Sequence, residues 1–279
     1  MKKILLATTL IAASAGFAAA EVTVSGKARM GIISDGSDVQ FTSRVRVQFD
    51  MTGETDGGLT FGASVRADQS GQGNTNNGDS TVYLSGAFGK ITMGDTGNAA
   101  DAIVGQVSGV GLTGLGDLNE IGFLDKDVTG VMYEYSAGAL TFGLGVGQTV
   151  DNDTNLLDND LISAAVKYST DAFAVALGYE ENDSDKQISV LGSGSFSGAT
   201  VKLKVADRNS QDDMAYALSV DYAIAGANVT AFYADQFGGL TAYGLGASYD
   251  LGGGASVVGG IARQEDDDTV FDLGVSMKF

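Results

Sequence analysis

Four residue types are missing from this chain of 279 residues: cysteine, histidine, tryptophan and proline. Without cysteine there is no disulfide framework. Without histidine the chain lacks the most common general base and metal ligand, and any Ser-His-Asp triad is excluded. The composition therefore predicts a protein that is not an enzyme, although a Ser or Asp mechanism without histidine is still open at this point. Proline cannot donate to a strand ladder, so its absence suits a sheet without edges.

Long apolar runs are also missing. After residue 20 no segment of about 18 apolar residues occurs, which excludes a helical membrane span there. The first residues contain two lysines, a short apolar run over 4–13 and small residues at 18–20. This pattern predicts a secretory signal peptide over residues 1–20, removed before Glu21. The alternative, a membrane-anchoring helix, would need a longer apolar run.

Basic side chains are scarce. Without the two lysines of the signal peptide, the chain has 14 basic and 35 acidic side chains, which gives a net charge of −21. A nucleic-acid partner is not expected, because phosphate neutralisation requires clustered cations. A membrane is not excluded, since the acidic groups of a barrel can lie in its loops and its lumen.

The dominant pattern in the sequence is a strict alternation of apolar and polar residues. It is clearest over residues 39–51, and about sixteen such segments follow one another up to residue 279. Their usual length of nine to eleven residues matches tilted transmembrane strands. No segment is left over for a second domain. The sequence thus predicts an all-β fold over residues 21–279, a sixteen-stranded antiparallel transmembrane β-barrel.

The connections between these segments are alternately long and polar, or short and rich in glycine. One of them is out of proportion, from Gly97 to about Thr129, and loops of this length are usually functional or disordered. It contains too many apolar residues for a disordered external loop. We therefore expect residues 97–129 to fold inward against the lumen wall as a third, constricting loop.

Aromatic residues mark one end of the predicted barrel. Each even-numbered strand finishes on or near one, which predicts an interfacial girdle. The eight residues are Phe49, Phe88, Tyr135, Tyr168, Phe196, Tyr222, Tyr249 and Phe279.

A set of basic residues is the most specific functional signal. They fall on the polar faces of the first three strands, so neighbouring strands should bring them together on one patch of lumen wall. The set comprises Lys27, Arg29, Arg44, Arg46 and Arg66. One interpretation is that they are counter-charges in a very acidic chain. The other is a positive half-ring at a constriction, where charged rings set ion selectivity. It would face acidic residues of the long loop, namely Asp101, Asp117, Glu120, Asp125 and Asp127.

Other motifs are weaker. Residues 109–114 match G-x-G-x-x-G, but the strand, helix and βαβ frame of a dinucleotide site are missing. Residues 151–155 resemble the start of an EF-hand loop, which fails because Leu156 replaces its glycine and Ile162 its glutamate. Such acidic clusters are expected at solvated loop tips, where loose Ca²⁺ or Mg²⁺ binding is an open alternative. Lys202 and Lys204 indicate a smaller basic patch elsewhere.

Several segments resemble the general diffusion porins of alphaproteobacteria, the type found in purple photosynthetic bacteria. They are EVTVSGKARMGI at 21–32, LSGAFGKITMGD at 84–95, YGLGASYDLGGGAS at 243–256 and LGVSMKF at 273–279. The resemblance implies a homotrimer of sixteen-stranded barrels in the bacterial outer membrane, with an eyelet between an acidic inward loop and a basic wall. It also implies calcium among loop carboxylates, here at Asp117 and Glu120. No cofactor is required.

The predicted function is therefore a passive, water-filled channel for small hydrophilic solutes and ions. The protein would contact outer-membrane lipid and lipopolysaccharide. The alternative is an envelope-stabilising or adhesive outer-membrane barrel that is plugged by its own loop.

Overall fold

The computed structural model describes residues 20–70, 74–124, 129–148, 161–265 and 269–279. Within these ranges, sixteen strands form one closed antiparallel barrel, in which each strand pairs with its sequence neighbours and the last pairs with the first. The strands are β1 (Glu21–Ser34), β2 (Val39–Glu54), β3 (Thr60–Ser70), β4 (Asn74–Gly86), β5 (Gly89–Gly94), β6 (Thr129–Ala137), β7 (Leu140–Gln148), β8 (Leu161–Ser169), β9 (Phe173–Glu181), β10 (Lys186–Phe196), β11 (Ala199–Arg208), β12 (Ala215–Ile224), β13 (Ala227–Gln236), β14 (Leu240–Gly252), β15 (Ala255–Gln264) and β16 (Thr269–Lys278). The predicted fold is confirmed.

The alternation of the strands separates two very different surfaces. Large apolar side chains point outward and are exposed, as at Phe41, which is 96 % exposed, and at Leu144 and Ile162. A soluble monomer rarely exposes more than a few hundred Å² of contiguous apolar surface, and such a continuous band requires an apolar environment. The band therefore faces lipid, and the polar half of each strand faces the lumen.

The predicted aromatic girdle is also confirmed. All eight aromatic residues are exposed, including Phe49, Tyr168 and Phe279. They lie at the end of the barrel where the connections are short, such as 197–198, 225–226 and 253–254. We call this the short-turn end. The start of β1 and the end of β16 also lie there.

The hairpin of β3 and β4 is longer than expected. The alternation predicts a connection from Ser70 to Asp79, but β4 already begins at Asn74, and its pairing with β3 shifts between Val65 and Ala67. A ladder that extends beyond the lipid needs no apolar face. Alternation therefore cannot show where such a strand begins.

Residues 97–124, the described part of the predicted constricting loop, fold into the lumen, and we call them the inward segment. They contain one helix, α1 (Ala99–Val104), and a 3₁₀ turn (Leu115–Asp117). Neither is long and apolar enough to cross a membrane. Apolar side chains such as Ile121 are buried against small wall residues such as Ala217 and Ala234. Burial of one such side chain contributes about 1.5–3 kcal/mol.

The two faces of β5 allow a test of the lipid-facing surface. Met93 points outward and its neighbour Thr92 points into the lumen. We expect Met93→Arg to destabilise the barrel by about 1–3 kcal/mol, because an arginine within the apolar band must be desolvated. Thr92→Arg should cost much less. Denaturant titration of the barrel in lipid vesicles measures both. Equal losses would contradict this assignment of the two faces.

Candidate functional site

The two ends of the inward segment meet at the buried wall residue Glu180 on β9. Asn98 is the N-cap of α1, where its Oδ1 accepts a hydrogen bond from the amide of Asp101 at 2.7 Å. Its Nδ2 donates to the carbonyl oxygen of Leu124 at 2.9 Å and to Oε2 of Glu180 on β9 at 2.7 Å. Glu180 is fully buried. These bonds fix the entry and the exit of the segment at the same place on the wall.

Helix α1 lies against glycines of the wall. A Cβ atom built on Gly143 would lie 2.3 Å from Cδ1 of Ile103, and one built on Gly178 would lie 2.9 Å from Cβ of Ala100. Any larger wall residue would push the helix toward the channel axis. The helix itself was not predicted from the sequence, although an asparagine in front of a short helix is a recognised N-cap signal.

Lys204 on β11 holds the middle of the segment. Its Nζ donates to Oε1 of Gln106 and to the carbonyl oxygen of Ile121, each at 2.9 Å. The same Nζ lies 3.5 Å from the ring centroid of Phe123, a cation–π contact. Lys204 is fully buried. The sequence indicated a basic patch at this residue, but its role is to anchor the segment.

Asp272 on β16 holds the far tip of the segment. Its carboxylate accepts hydrogen bonds from the amides of Leu112 at 2.8 Å and Thr113 at 2.6 Å, and from the Thr113 hydroxyl at 2.7 Å. Asp272 is only 2 % exposed. On the neighbouring strand, Nη1 of Arg29 donates to the carbonyl oxygen of Leu112 at 3.3 Å. The tip of the segment therefore reaches the predicted basic wall.

The tip lies on a track of glycines that crosses four neighbouring strands. A Cβ atom built on Gly260 would lie 2.6 Å from the amide nitrogen of Gly111, and one built on Gly274 would lie 2.6 Å from Cδ2 of Leu112. The backbone of the segment can therefore lie flat against the wall. The members of this glycine track are Gly246, Gly260, Gly274 and Gly31.

The predicted basic residues do come together on the wall. Arg46 binds Asp68 most closely, with its Nε at 2.8 Å and its Nη2 at 2.7 Å from Oδ2. Arg44 and Arg66 lie farther from the same carboxylate, at 3.8 Å and 3.9 Å. Lys27 is opposite Arg46 on the neighbouring strand and is exposed. We call Lys27, Arg29, Arg44, Arg46 and Arg66 the basic wall.

Sequence reasoning overlooked Asp68, although it lies on the polar face of β3. Its side chain is 15 % exposed, whereas the three arginine side chains around it are 24–29 % exposed. The carboxylate thus offsets part of the positive charge at this place. The guanidinium groups keep some access to the lumen, where they can act on a passing solute.

The predicted loop acids have different environments. Asp101 in α1 and Glu120 are half-buried, and Asp117 is exposed in the 3₁₀ turn. The amide of Glu120 donates to the carbonyl oxygen of Asp117 at 2.9 Å, which keeps these two residues close. Asp125 and Asp127 lie outside the described residues.

Calcium takes six to eight oxygen ligands, commonly including several carboxylates. Within the described ranges, no group of three or more acidic side chains comes together to hold a metal ion. Asp117 and Glu120 by themselves do not make a calcium site. Calcium binding there stays a prediction, and no step of the function is derived from it.

The positions around the barrel define the channel. The segment contacts described above run from β7 round to β16 and β1, and the arginines around Asp68 lie on β2 and β3, the next strands. The lumen therefore has the inward segment on one side and the basic wall on the other. This arrangement defines a class of protein: a lipid-embedded β-barrel channel with an internal constriction.

Comparison with known proteins identifies the family. The chain matches the Gram-negative porins over residues 7–269 and belongs to this family. It is 38 % identical over 302 residues to a porin of Rhodobacter capsulatus and 28 % identical over 297 residues to a porin of Fuscovulum blasticum. Each alignment covers 93 % of this chain and 100 % of the relative. The protein is thus a porin of the bacterial outer membrane, a channel for small solutes.

Solved structures agree with this assignment. A porin structure refined at 1.8 Å resolution is 36 % identical and matches with a TM-score of 0.81. A variant of the Rhodopseudomonas blastica porin is 24 % identical and matches with a TM-score of 0.78, which supports the fold alone. Each match covers 93 % of this chain and 100 % of the solved chain.

The glycine track provides a test of the position of the segment. We expect Gly260→Val to lower the mean single-channel conductance in planar bilayers, because the new side chain displaces Gly111 toward the channel axis. The control is Gly192→Val, at an outward position of β10 where a Cβ atom has no neighbour within 4 Å. The control should conduct like the unchanged protein. If Gly260→Val does so as well, the segment does not lie on β15.

Proposed function

We propose that this porin is a passive sieve whose narrowest part lies between the inward segment and the basic wall. The observation that carries the proposal is the bond from Arg29 to the carbonyl oxygen of Leu112. It joins the two sides, so the basic wall and the tip of the segment lie at the same depth in the lumen. The anchors at Glu180, Lys204 and Asp272 support a constriction of fixed width.

Selection at this constriction is by size and by charge. The segment sets the free width, so large solutes are excluded. The arginine side chains and the acids of the segment supply a field that orients dipolar solutes and replaces part of their hydration. Apolar solutes have no such interaction to gain. Because Asp68 neutralises part of the wall, the attraction of the wall for anions depends on a few guanidinium groups.

We also infer that passage involves no catalytic step and requires no cofactor. The chain has no histidine and no cysteine to act as base or nucleophile. Diffusion through water needs neither. A test is direct: the purified protein should release small solutes from liposomes unchanged, and detection of a chemically altered solute would contradict this inference.

We further propose that the mature protein is a homotrimer that begins at Glu21. The resemblance to diffusion porins supports the trimer, and the signal-peptide pattern supports cleavage after residue 20. Short turns face the periplasm in such barrels, so the short-turn end is periplasmic. Native mass spectrometry of the protein extracted from membranes measures both the subunit number and the subunit mass. A monomer, or a subunit that retains residues 1–20, would contradict the corresponding part.

The inward segment should determine the largest solute that passes the channel. Replacing residues 107–118 by two glycines should raise conductance and admit larger sugars, because the tip no longer narrows the lumen. Liposome swelling with sugars of graded size measures the limit. A control variant lacks residues 211–213. They lie in the connection between β11 and β12, at the end of the barrel opposite the short-turn end. An unchanged limit in the first variant would place the constriction elsewhere.

The basic wall should influence the preference of the channel between anions and cations. The double variant Arg44→Gln/Arg46→Gln should shift the reversal potential in a KCl gradient toward cation preference, because Asp68 then loses its closest counter-charges. Arg263→Gln is the control, since Arg263 lies on an outward position of β15 and the substitution likewise removes positive charge. The shift should be absent in this control. Equal reversal potentials for both variants would show that the wall is not at the constriction.

A further inference from the structure

We propose that the lumen contains a second anion-binding site, across the channel from the basic wall, that takes small dianions such as a dicarboxylate or inorganic phosphate. It is a recess between Lys167 on β8 and Lys202 on β11, with Ser193 of β10 in its floor. The inference rests on the proposed function, because a solute must enter the lumen to reach it.

Strand register explains why a recess forms here. Lys167 pairs with Ala176, Ala174 pairs with Ser193, and Ser193 pairs with Lys202. The two lysines are thus separated by two strands, whose side chains between them are Ala174, Ala176, Ser193 and one larger residue, Leu191. With three strand spacings of about 4.8 Å and an offset of two residues along the strands, the lysine Cα atoms are separated by roughly 16 Å. The long lysine side chains stand on either side of a low floor.

The inward segment forms the roof of the recess. Val104 ends α1, and Gly105 follows as its C-cap with a φ of 72°. Gln106 is held in place by Lys204 and by the carbonyl oxygen of Ile121. The recess is partly open and has a volume of about 220 Å³. At about 30 Å³ per water molecule, this is room for several waters or one small dianion.

The charges of the recess favour an anion. Lys167 and Lys202 are half-buried, and neither forms a salt bridge or hydrogen bond with any residue that the structure describes. By contrast, the ammonium group of Lys186 is paired with Glu181 at 2.8 Å. The carboxylate of Asp221, on the strand next to β11, accepts hydrogen bonds from Ser108 at 2.7 Å and from Thr230 at 2.6 Å.

The chemistry of lysine sets the expected strength of binding. An ammonium group is a strongly hydrated point charge and lacks the fork geometry of arginine, so its bond to a carboxylate or phosphate is readily exchanged. Two ammonium groups in one recess favour a dianion over a monoanion or a neutral sugar. Weak, exchangeable binding is what a channel requires, since a tightly held solute would block it.

The recess lies between the inward segment and the short-turn end. Lys167 is two residues from the end of β8, and Lys202 is three residues after the start of β11. A dianion that has passed the constriction would therefore reach these lysines next. The site would hold solutes on the periplasmic side of the narrowest point.

The test is block of chloride current by a dianion. The trimeric protein in planar bilayers is titrated at neutral pH with potassium succinate, and in a second series with potassium phosphate. We expect the half-blocking concentration to rise roughly threefold to tenfold in Lys167→Gln/Lys202→Gln, as the loss of two weak ion pairs implies. Lys167→Arg/Lys202→Arg should retain block, and it also tests whether positions 167 and 202 tolerate substitution.

The control is Lys90→Gln, which removes another lumen-facing lysine near the short-turn end. Block in this control should equal that of the unchanged protein. The inference is overturned if neither dianion blocks the unchanged protein, or if the control weakens block as much as the test variant. A protein that conducts no current at all would instead contradict the proposed function.

Discussion

The structure depends on one constraint, the need to pair every backbone N–H and C=O group inside lipid. A sheet meets this constraint only by closing on itself, as β16 does on β1. Closure then fixes which residues face lipid and which face the lumen, because side chains alternate along every strand. Sixteen strands enclose a lumen too wide for side chains alone to fill. The fold therefore leaves room for another part of the chain, and the inward segment occupies it.

The inward segment has the same need for backbone partners, but it has no ladder to join. Wall side chains supply the partners instead. Asp272 accepts hydrogen bonds from the amides at the tip of the segment, and Lys204 donates one to the carbonyl oxygen of Ile121. Lys204 and Glu180 are both fully buried ionisable groups, which are costly unless they are well bonded. Such anchors contribute to a unique position of the segment more than to stability. The consequence is that the inward segment is held at one place in the lumen.

The sequence was sufficient for the barrel because the lipid imposes a period of two, and this period is visible in the residues. It was also sufficient to place Arg44 and Arg46 on one patch, since neighbouring strands must be adjacent. It could not reveal the anchors. Leu112 and Asp272 are 160 residues apart, and alternation indicates only the face of a strand, not what lies against it. For the same reason, the abundance of glycine did not reveal the track that ends at Gly31.

Under the proposed function, the width and the charge of the constriction are set by different parts of this channel. The segment and its glycine track determine how close the backbone comes to the axis, whereas the arginines around Asp68 determine the field across the opening. The two are joined at Arg29, which belongs to the basic wall and also bonds to the segment at Leu112. A loss of this arginine would remove a positive charge and a contact of the tip at once. Under the proposed function, size and charge selection are therefore separable at Arg44 and Arg46 but coupled at Arg29, the residue that joins the two sides of the lumen.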